Sequence, residues 1–453
     1  MELIDILFIL IWIILPILWH VMLKAAGLSL LKPTLPSFVI AFIFILQYIG
    51  LPILYFRLDV YRAQFVTDKY LVMLVWGMTS ITITLMIIGY LFARQQFGRL
   101  EGFAKPNVPA QPLNNYQKVA LFALGTLGIA VLYIYLSKVG FGNIALLASL
   151  GLGGDIEQKL ARSLMGNDFD GKYHWYRLFM RDILTFVFLV FLAQNILFRN
   201  KFNIFLLLIF GSALSLSLVM ATEKGPFAHF ILALLLISVW VKFKGQLKIR
   251  VLVKAIIVMT SFLVLFYMYL MNSLDVGTGL SSMLSRIFTG QMQPAYHYLE
   301  FFPAHQDWLY GRSFPNPGGL LPFDSYSLSA EIMNFMSPEL QATSGVVGSA
   351  PTVYWGELYA NFSFFGVLAF PMLVGYVLYL LNKLIFSLPL NPITVSFFVW
   401  SLIHYSFLAG TNLSKYIIDM DLVIFLLLLV LLNAIKPHRG TFIHLYGPSY
   451  RPK

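Results

Sequence analysis

Apolar runs long enough to cross a bilayer recur from end to end, and this repetition constrains the fold more than any other feature. A hydrocarbon core of about 30 Å takes about 20 helical residues. Runs of about that size lie near 4–23, 38–56, 70–93, 117–137, 183–198, 202–221, 226–241, 251–271, 362–382, 392–410 and 418–435. The expected fold is an all-α polytopic membrane protein of about eleven transmembrane helices, a single membrane domain over 1–453. Charged residues make up 11% of the chain, against about 25% in soluble domains. Cysteine is absent, which excludes disulfides, thiolate metal sites and cysteine nucleophiles. The N-terminal MELIDILFILIWIILPILWHVMLK has neither a basic lead-in nor a small-residue cleavage site, and it reads as a retained first span.

Charge sets the expected orientation. With eleven spans and the N-terminus outside, Lys and Arg gather on the inside, in segments such as Lys242–Lys254 and the tail. Glu101 is then the one acid on that side. That is the positive-inside pattern, with the C-terminus in. It also accounts for the net charge of +11 without nucleic acid. The basic tail 436–453, KPHRGTFIHLYGPSYRPK, is expected to lie on the anionic inner surface.

Two outside segments are long. The first, 138–182, holds a short Gly-flanked apolar stretch that suits a re-entrant or interfacial helix. The second, 272–361, is the longest polar interval. It carries Arg286, His297, Glu300, His305, Asp307 and Arg312 among Tyr296, Tyr298, Trp308 and Tyr310. The spans offer less. No Asp or Glu falls mid-span; Asp182, Asp419 and Asp421 sit at outside ends, and the lone His229 and His404 read as packing residues. Ion-coupled transporters usually keep an ionisable group near the midplane. No HExxH, Walker or GxGxxG pattern is placed where it would work, and no metal site is expected.

The candidate chemistry therefore faces out. In ATEKGPFAHF, Lys224 stands beside a helix N-terminus whose free N–H groups suit phosphate. Arg286, Arg312, Arg162, Arg177 and Arg181 offer guanidinium forks for the same ligand. Basic groups above a membrane suit an anionic, lipid-linked substrate. Glycosyl transfer from a lipid pyrophosphate needs the leaving group stabilised and a hydroxyl deprotonated. His297, Glu300, Glu223 and Glu357 are candidate bases. Trp175, Tyr176, Trp308, Tyr310, Tyr354 and Trp355 offer flat faces for sugars, or serve as an interfacial belt.

Three pieces, set in this arrangement of spans, carry a family resemblance. They are TEKGP (Thr222 to Pro226), SRIFTG with YGRSF in the large loop, and GSAPTVYWGELYANFSFFG (Gly348 to Gly366). With these, the chain resembles the O-antigen, or oligosaccharide repeat-unit, polymerases of bacteria, mainly over 200–435. The resemblance implies a metal-independent, GT-C-like glycosyltransferase of the bacterial inner membrane that needs no cofactor. It would move a growing glycan from undecaprenyl pyrophosphate to the next lipid-linked repeat unit on the periplasmic face. A chain-length regulator is a further implied partner. By this analogy Lys224 and Arg286 bind pyrophosphate. Related ligases carry a histidine just before the segment matching ELYANFSFFG; Tyr354, Trp355 and Glu357 stand there, which favours polymerase over ligase. The arginine-to-glycine spacing of some polymerases is absent at Arg162 and Arg286. The base stays open between Glu357 and His297. A ligase-type transferase and a flippase or transporter of lipid-linked oligosaccharide are the rival readings.

Overall fold

The computed structural model describes residues 2–100, 111–150, 161–166, 169, 171–270, 275–339 and 348–435. The tail 436–453 and parts of both long outside segments lie outside those residues. The described residues form helices and connecting turns. In chain order the helices are α1 (Leu3–Ala25), α2 (Leu35–Gln47), α3 (Leu51–Tyr55), α4 (Lys69–Phe97) and α5 (Asn115–Val139). Then come α6 (Ala145–Leu150), α7 (Tyr173–Leu197), α8 (Lys201–Val219), α9 (Lys224–Lys242) and α10 (Ile249–Leu270). The rest are α11 (Val276–Phe288), α12 (Met292–Phe301), α13 (Leu328–Met336), α14 (Tyr354–Phe386), α15 (Pro392–Ser406) and α16 (Met420–Ala434).

Ten stretches among the described residues are long and apolar enough to cross a membrane, so this is a multi-pass α-helical membrane protein. The remaining expected span, 251–271, coincides with α10. Starts and stops follow local chemistry. Thr34, Asn114, Asn200, Asn391, Asp68 and Asp419 each accept a hydrogen bond from a first-turn N–H of the helix they precede. Enclosure differs sharply between spans. In α15, 78% of the apolar stretch is buried, against 17% in α1. The first is a central helix and the second lies at the periphery of the bundle.

Helices α4 and α14 pack backbone to backbone. A Cβ at Gly89 would fall 1.9 Å from the Met372 carbonyl oxygen, and one at Gly375 would fall 2.1 Å from that of Met86. Each glycine faces the other helix's backbone, the small-residue contact that lets membrane helices approach closely. Between helices, Asn382 Oδ1 accepts from Leu35 N at 2.8 Å and Gln47 Nε2 donates to Ala409 O at 3.0 Å.

Two expected boundaries are corrected. The first long segment ends at Lys172, not 182, because the polar run from Tyr173 onward is the first part of α7. The large segment ends at Val353, not 361. GELYANF belongs to α14, which breaks at Phe362 and Ser363, the latter at φ 57°. The break frees carbonyls of the preceding turn, and two of them are taken by the outer segment. Leu309 N donates to Ala360 O at 3.0 Å and Tyr310 N to Asn361 O at 3.1 Å. A polar half-turn inside a span is tolerated where protein satisfies it in this way.

Candidate functional site

The large segment between α10 and α14 is docked on the helices. Asp59, between α3 and α4, accepts from Ser285 Oγ at 2.8 Å and from Thr289 Oγ1, which holds the end of α11. The turn 309–313 is pinned by Glu357 and Asn361. Glu357 Oε1 accepts from Ser313 Oγ at 2.9 Å and Oε2 from Ser414 N at 2.7 Å. Asn361 Nδ2 donates to Ser313 Oγ and its Oδ1 accepts from Gly311 N, both at 2.8 Å.

These contacts correct several expectations. Glu357 has no exposed surface, and both its oxygens are engaged by protein donors, so it acts as a clamp between two segments. His297 is buried in α12, with Nδ1 2.7 Å from Glu300 Oε2. Burial pulls its imidazole below the usual histidine range, against the opposing pull of Glu300. Tyr354 and Trp355 are wholly buried and present no face to a sugar; Trp355 Nε1 donates to Thr79 Oγ1 at 3.2 Å. Trp308 is half-buried with its ring edge-on to Tyr359, and Tyr310 stands exposed. Arg286 is exposed on α11 and Arg312 is half-buried, and neither makes an ion pair among the described residues. Lys224 begins α9, but its side chain lies outside the described residues.

A cavity lies elsewhere. About 620 Å³ in volume, it is enclosed by the beginnings of α7, α9 and α16, the end of α15 and the turn 411–418. This is the end of the bundle that the charge pattern assigns to the outside. None of Arg286, Arg312, His297, Glu357, Trp308, Tyr310, Tyr354 or Trp355 lines it; of the residues selected from sequence as phosphate ligands, Arg177 and Arg181 do.

Local geometry explains how α7 furnishes its wall. Residues five apart on an α-helix of 3.6 residues per turn are separated by about 140°. Over Leu178–Ile183 the helix widens into a π-helical turn, whose i→i+5 bonding brings such residues to one face. Arg177, Arg181 and Asp182 therefore all line the cavity. Across it, Asp419 and Asp421 flank the start of α16, where backbone N–H groups favour negative charge.

The ionic contacts in the cavity are long. Arg177 Nε lies 3.7 Å from Asp182 Oδ2, and Nη2 lies 3.7 Å from Asp421 Oδ2. Charge-assisted hydrogen bonds run at about 2.7–2.9 Å, so these contacts are weak, as is the 3.5 Å contact of Arg177 Nη2 with His174 Nδ1. Arg177 Nε and Asp421 Oδ1 are buried and hydrogen-bonded to nothing. Arg181 Nη1 meets Glu223 Oε2 at 3.2 Å, and His174 Nε2 is 3.4 Å from Asp421 Oδ1. Lys415 makes no ion pair among the described residues. The one short contact is His404 Nε2 to Asp419 Oδ2 at 2.7 Å. Arg162 stands behind this wall, donating to Thr222 Oγ1 at 2.7 Å and Thr222 O at 3.0 Å. It holds the turn that carries Glu223.

His404 and His229, expected to be packing residues, are packed against Trp400 and Phe407 respectively, and both also line the cavity. The usable signals were the Arg177–Arg181 spacing and the DMD of Asp419–Asp421 at a span's start. Nothing local in the sequence joins His404 to Asp419. Among the described residues no three His, Asp or Glu side chains converge as a metal site. The arrangement can bind an anion through two guanidinium groups and an ammonium, and can move a proton at His404. No protein family, curated protein or solved structure matched this chain.

Proposed function

We propose that this chain is a membrane glycosyltransferase that polymerises oligosaccharide repeat units on the outer face of a bacterial inner membrane. It transfers a growing glycan from undecaprenyl pyrophosphate to the next lipid-linked repeat unit. The N-terminus faces out and the C-terminus in. The observation that carries this reading is the cavity at the outer ends of α7, α9, α15 and α16, with Arg177, Arg181 and Lys415 in its wall. On this reading the cavity receives the charged pyrophosphate of the lipid carrier. Its 620 Å³ falls within the range of about 300–1,000 Å³ common for ligand sites. Guanidinium groups suit the bidentate geometry of phosphate oxygens. Arg286 and Arg312, free of ion pairs among the described residues, serve the second lipid pyrophosphate, with Trp308 and Tyr310 beside the sugars. The resemblance of TEKGP and GSAPTVYWGELYANFSFFG to repeat-unit polymerases supports the same reading.

The test is substitution in cells. Arg177→Ala with Arg181→Ala abolishes chain growth while the protein still reaches the membrane at wild-type level. Full-length polymer from the double variant would remove the cavity from the reaction. One observation favours a second reading, a flippase or transporter of lipid-linked oligosaccharide. Ionisable groups clustered within spans mark substrate pathways in membrane proteins, and this cavity is such a cluster. A transporter variant blocked at Arg177 would lose even single repeat units from the surface, whereas a polymerase variant would keep them.

A further inference from the structure

We propose that His404, oriented by Asp419, is the base that takes the proton from the attacking hydroxyl. This rests on the transferase reading above and names the catalytic group which that reading leaves open. Both candidates favoured by sequence are unsuited. Glu357 is sealed between Ser313 and Ser414, and His297 is buried away from the cavity.

Three imidazoles line the cavity, and they differ. His229 has no carboxylate partner; its ring lies against Phe407. His174 reaches Asp421 only at 3.4 Å, with 44% of its side chain exposed. His404 alone combines a short carboxylate contact with a fixed ring. Its Nε2 is 2.7 Å from Asp419 Oδ2. Trp400 stacks on it at 4.6 Å and 17°, and Tyr416 meets it edge-on at 5.1 Å. Asp419 is held in turn, because its Oδ1 accepts from Leu422 N at 2.9 Å as the cap of α16. With Nε2 committed to the carboxylate, Nδ1 is the nitrogen left for substrate, and no described group bonds it. A base oriented by a carboxylate is the arrangement that stabilises the imidazolium formed on proton transfer.

The step balances. The acceptor hydroxyl oxygen bonds to the donor's anomeric carbon. The bond from that carbon to the pyrophosphate oxygen breaks, and its electron pair leaves on the pyrophosphate. Arg177, Arg181 and Lys415 meet the negative charge. The hydroxyl proton passes to His404 Nδ1 and is later lost to water.

The experiment uses the purified full-length protein in lipid nanodiscs with lipid-linked repeat units as substrate. Wild type is compared with His404→Gln and Asp419→Asn. Inorganic pyrophosphate, read by thermal stabilisation, reports the anion site separately. Loss of a general base costs about 10²–10⁴ in rate. His404→Gln is expected to lose about that much in kcat, with donor KM and pyrophosphate stabilisation unchanged. The acid limb of the pH–rate profile is expected to vanish. Asp419→Asn keeps an oxygen to cap α16 and is expected to lose about tenfold or more. His404→Gln with kcat within threefold of wild type and an intact acid limb would overturn the assignment and leave the transferase reading standing. If His404→Gln does not fold, wild-type kcat in Asp419→Asn overturns it instead. Wild-type protein that binds pyrophosphate yet never extends a glycan would overturn both.

Discussion

Compare Glu357→Ala with Glu357→Gln. Alanine removes both acceptors at this position. Ser414 N–H is then buried without a partner, which costs about 1–3 kcal/mol. The Ser313 hydroxyl loses its acceptor, worth about 0.5–1.5 kcal/mol net. The sum is about 1.5–4.5 kcal/mol before any cavity term. Glutamine behaves differently. Its amide oxygen can still accept from Ser414 N, while its NH2 donates to the Ser313 oxygen. That hydroxyl has two acceptor sites and uses one for Asn361 Nδ2. The cost of glutamine is expected to stay under about 1 kcal/mol. Thermal unfolding in detergent, followed by tryptophan fluorescence, ranks the three proteins. Wild type and glutamine should lie close together, with alanine clearly lower. Limited proteolysis should cut alanine preferentially near 309–313. Glycan ladders from cells carrying glutamine should match wild type. A glutamine variant with normal stability but no polymer would refute this reasoning, since it would show that the negative charge serves chemistry.

Other outcomes follow from the same contacts. Gly375→Ala places a Cβ 2.1 Å from the Met86 carbonyl and should cost about 1–3 kcal/mol through overpacking, whereas Gly77→Ala, with nothing within 4 Å, should be neutral or slightly stabilising in thermal unfolding. His297 has a lowered folded pKa, so the unfolded chain binds the proton more readily; stability should fall as pH drops through about 6.5 toward that lowered value, and His297→Gln should flatten the slope in melting temperatures taken between pH 5 and 7. Arg286→Ala should cut polymer yield without altering thermal stability, because its side chain is exposed and makes no ion pair among the described residues; a lowered melting temperature would assign it to the scaffold.

The spans were legible because an apolar run of about 20 residues has few other fates. Their polar ends were not. YHWYRLFMRD looks like loop because its charges exclude it from hydrocarbon, yet Arg177, Arg181 and Asp182 are accommodated as the wall of a cavity. GELYANF looks like loop because Glu357 and Asn361 are polar, yet both are satisfied by the turn 309–313 and by Ser414. Those partners are 48 and 57 residues away along the chain, beyond any periodicity. Tyr354 and Trp355 illustrate the reverse error. An aromatic pair at the end of a polar segment suggests a sugar platform, but both rings are buried in the packed core, and Trp355 bonds Thr79 of α4. The His404–Asp419 pair escaped because the chain leaves α15, turns through 407–418 and returns at the head of α16. A single sequence carries no mark of that return.

The surface glycan of cells lacking this gene, resolved on a gel, separates polymerisation from every neighbouring step. The ladder is expected to collapse to core plus a single repeat unit, and wild-type protein, but not the Arg177→Ala, Arg181→Ala double variant, is expected to restore it. Loss of even the single unit would place the block at export or ligation and overturn the polymerase reading.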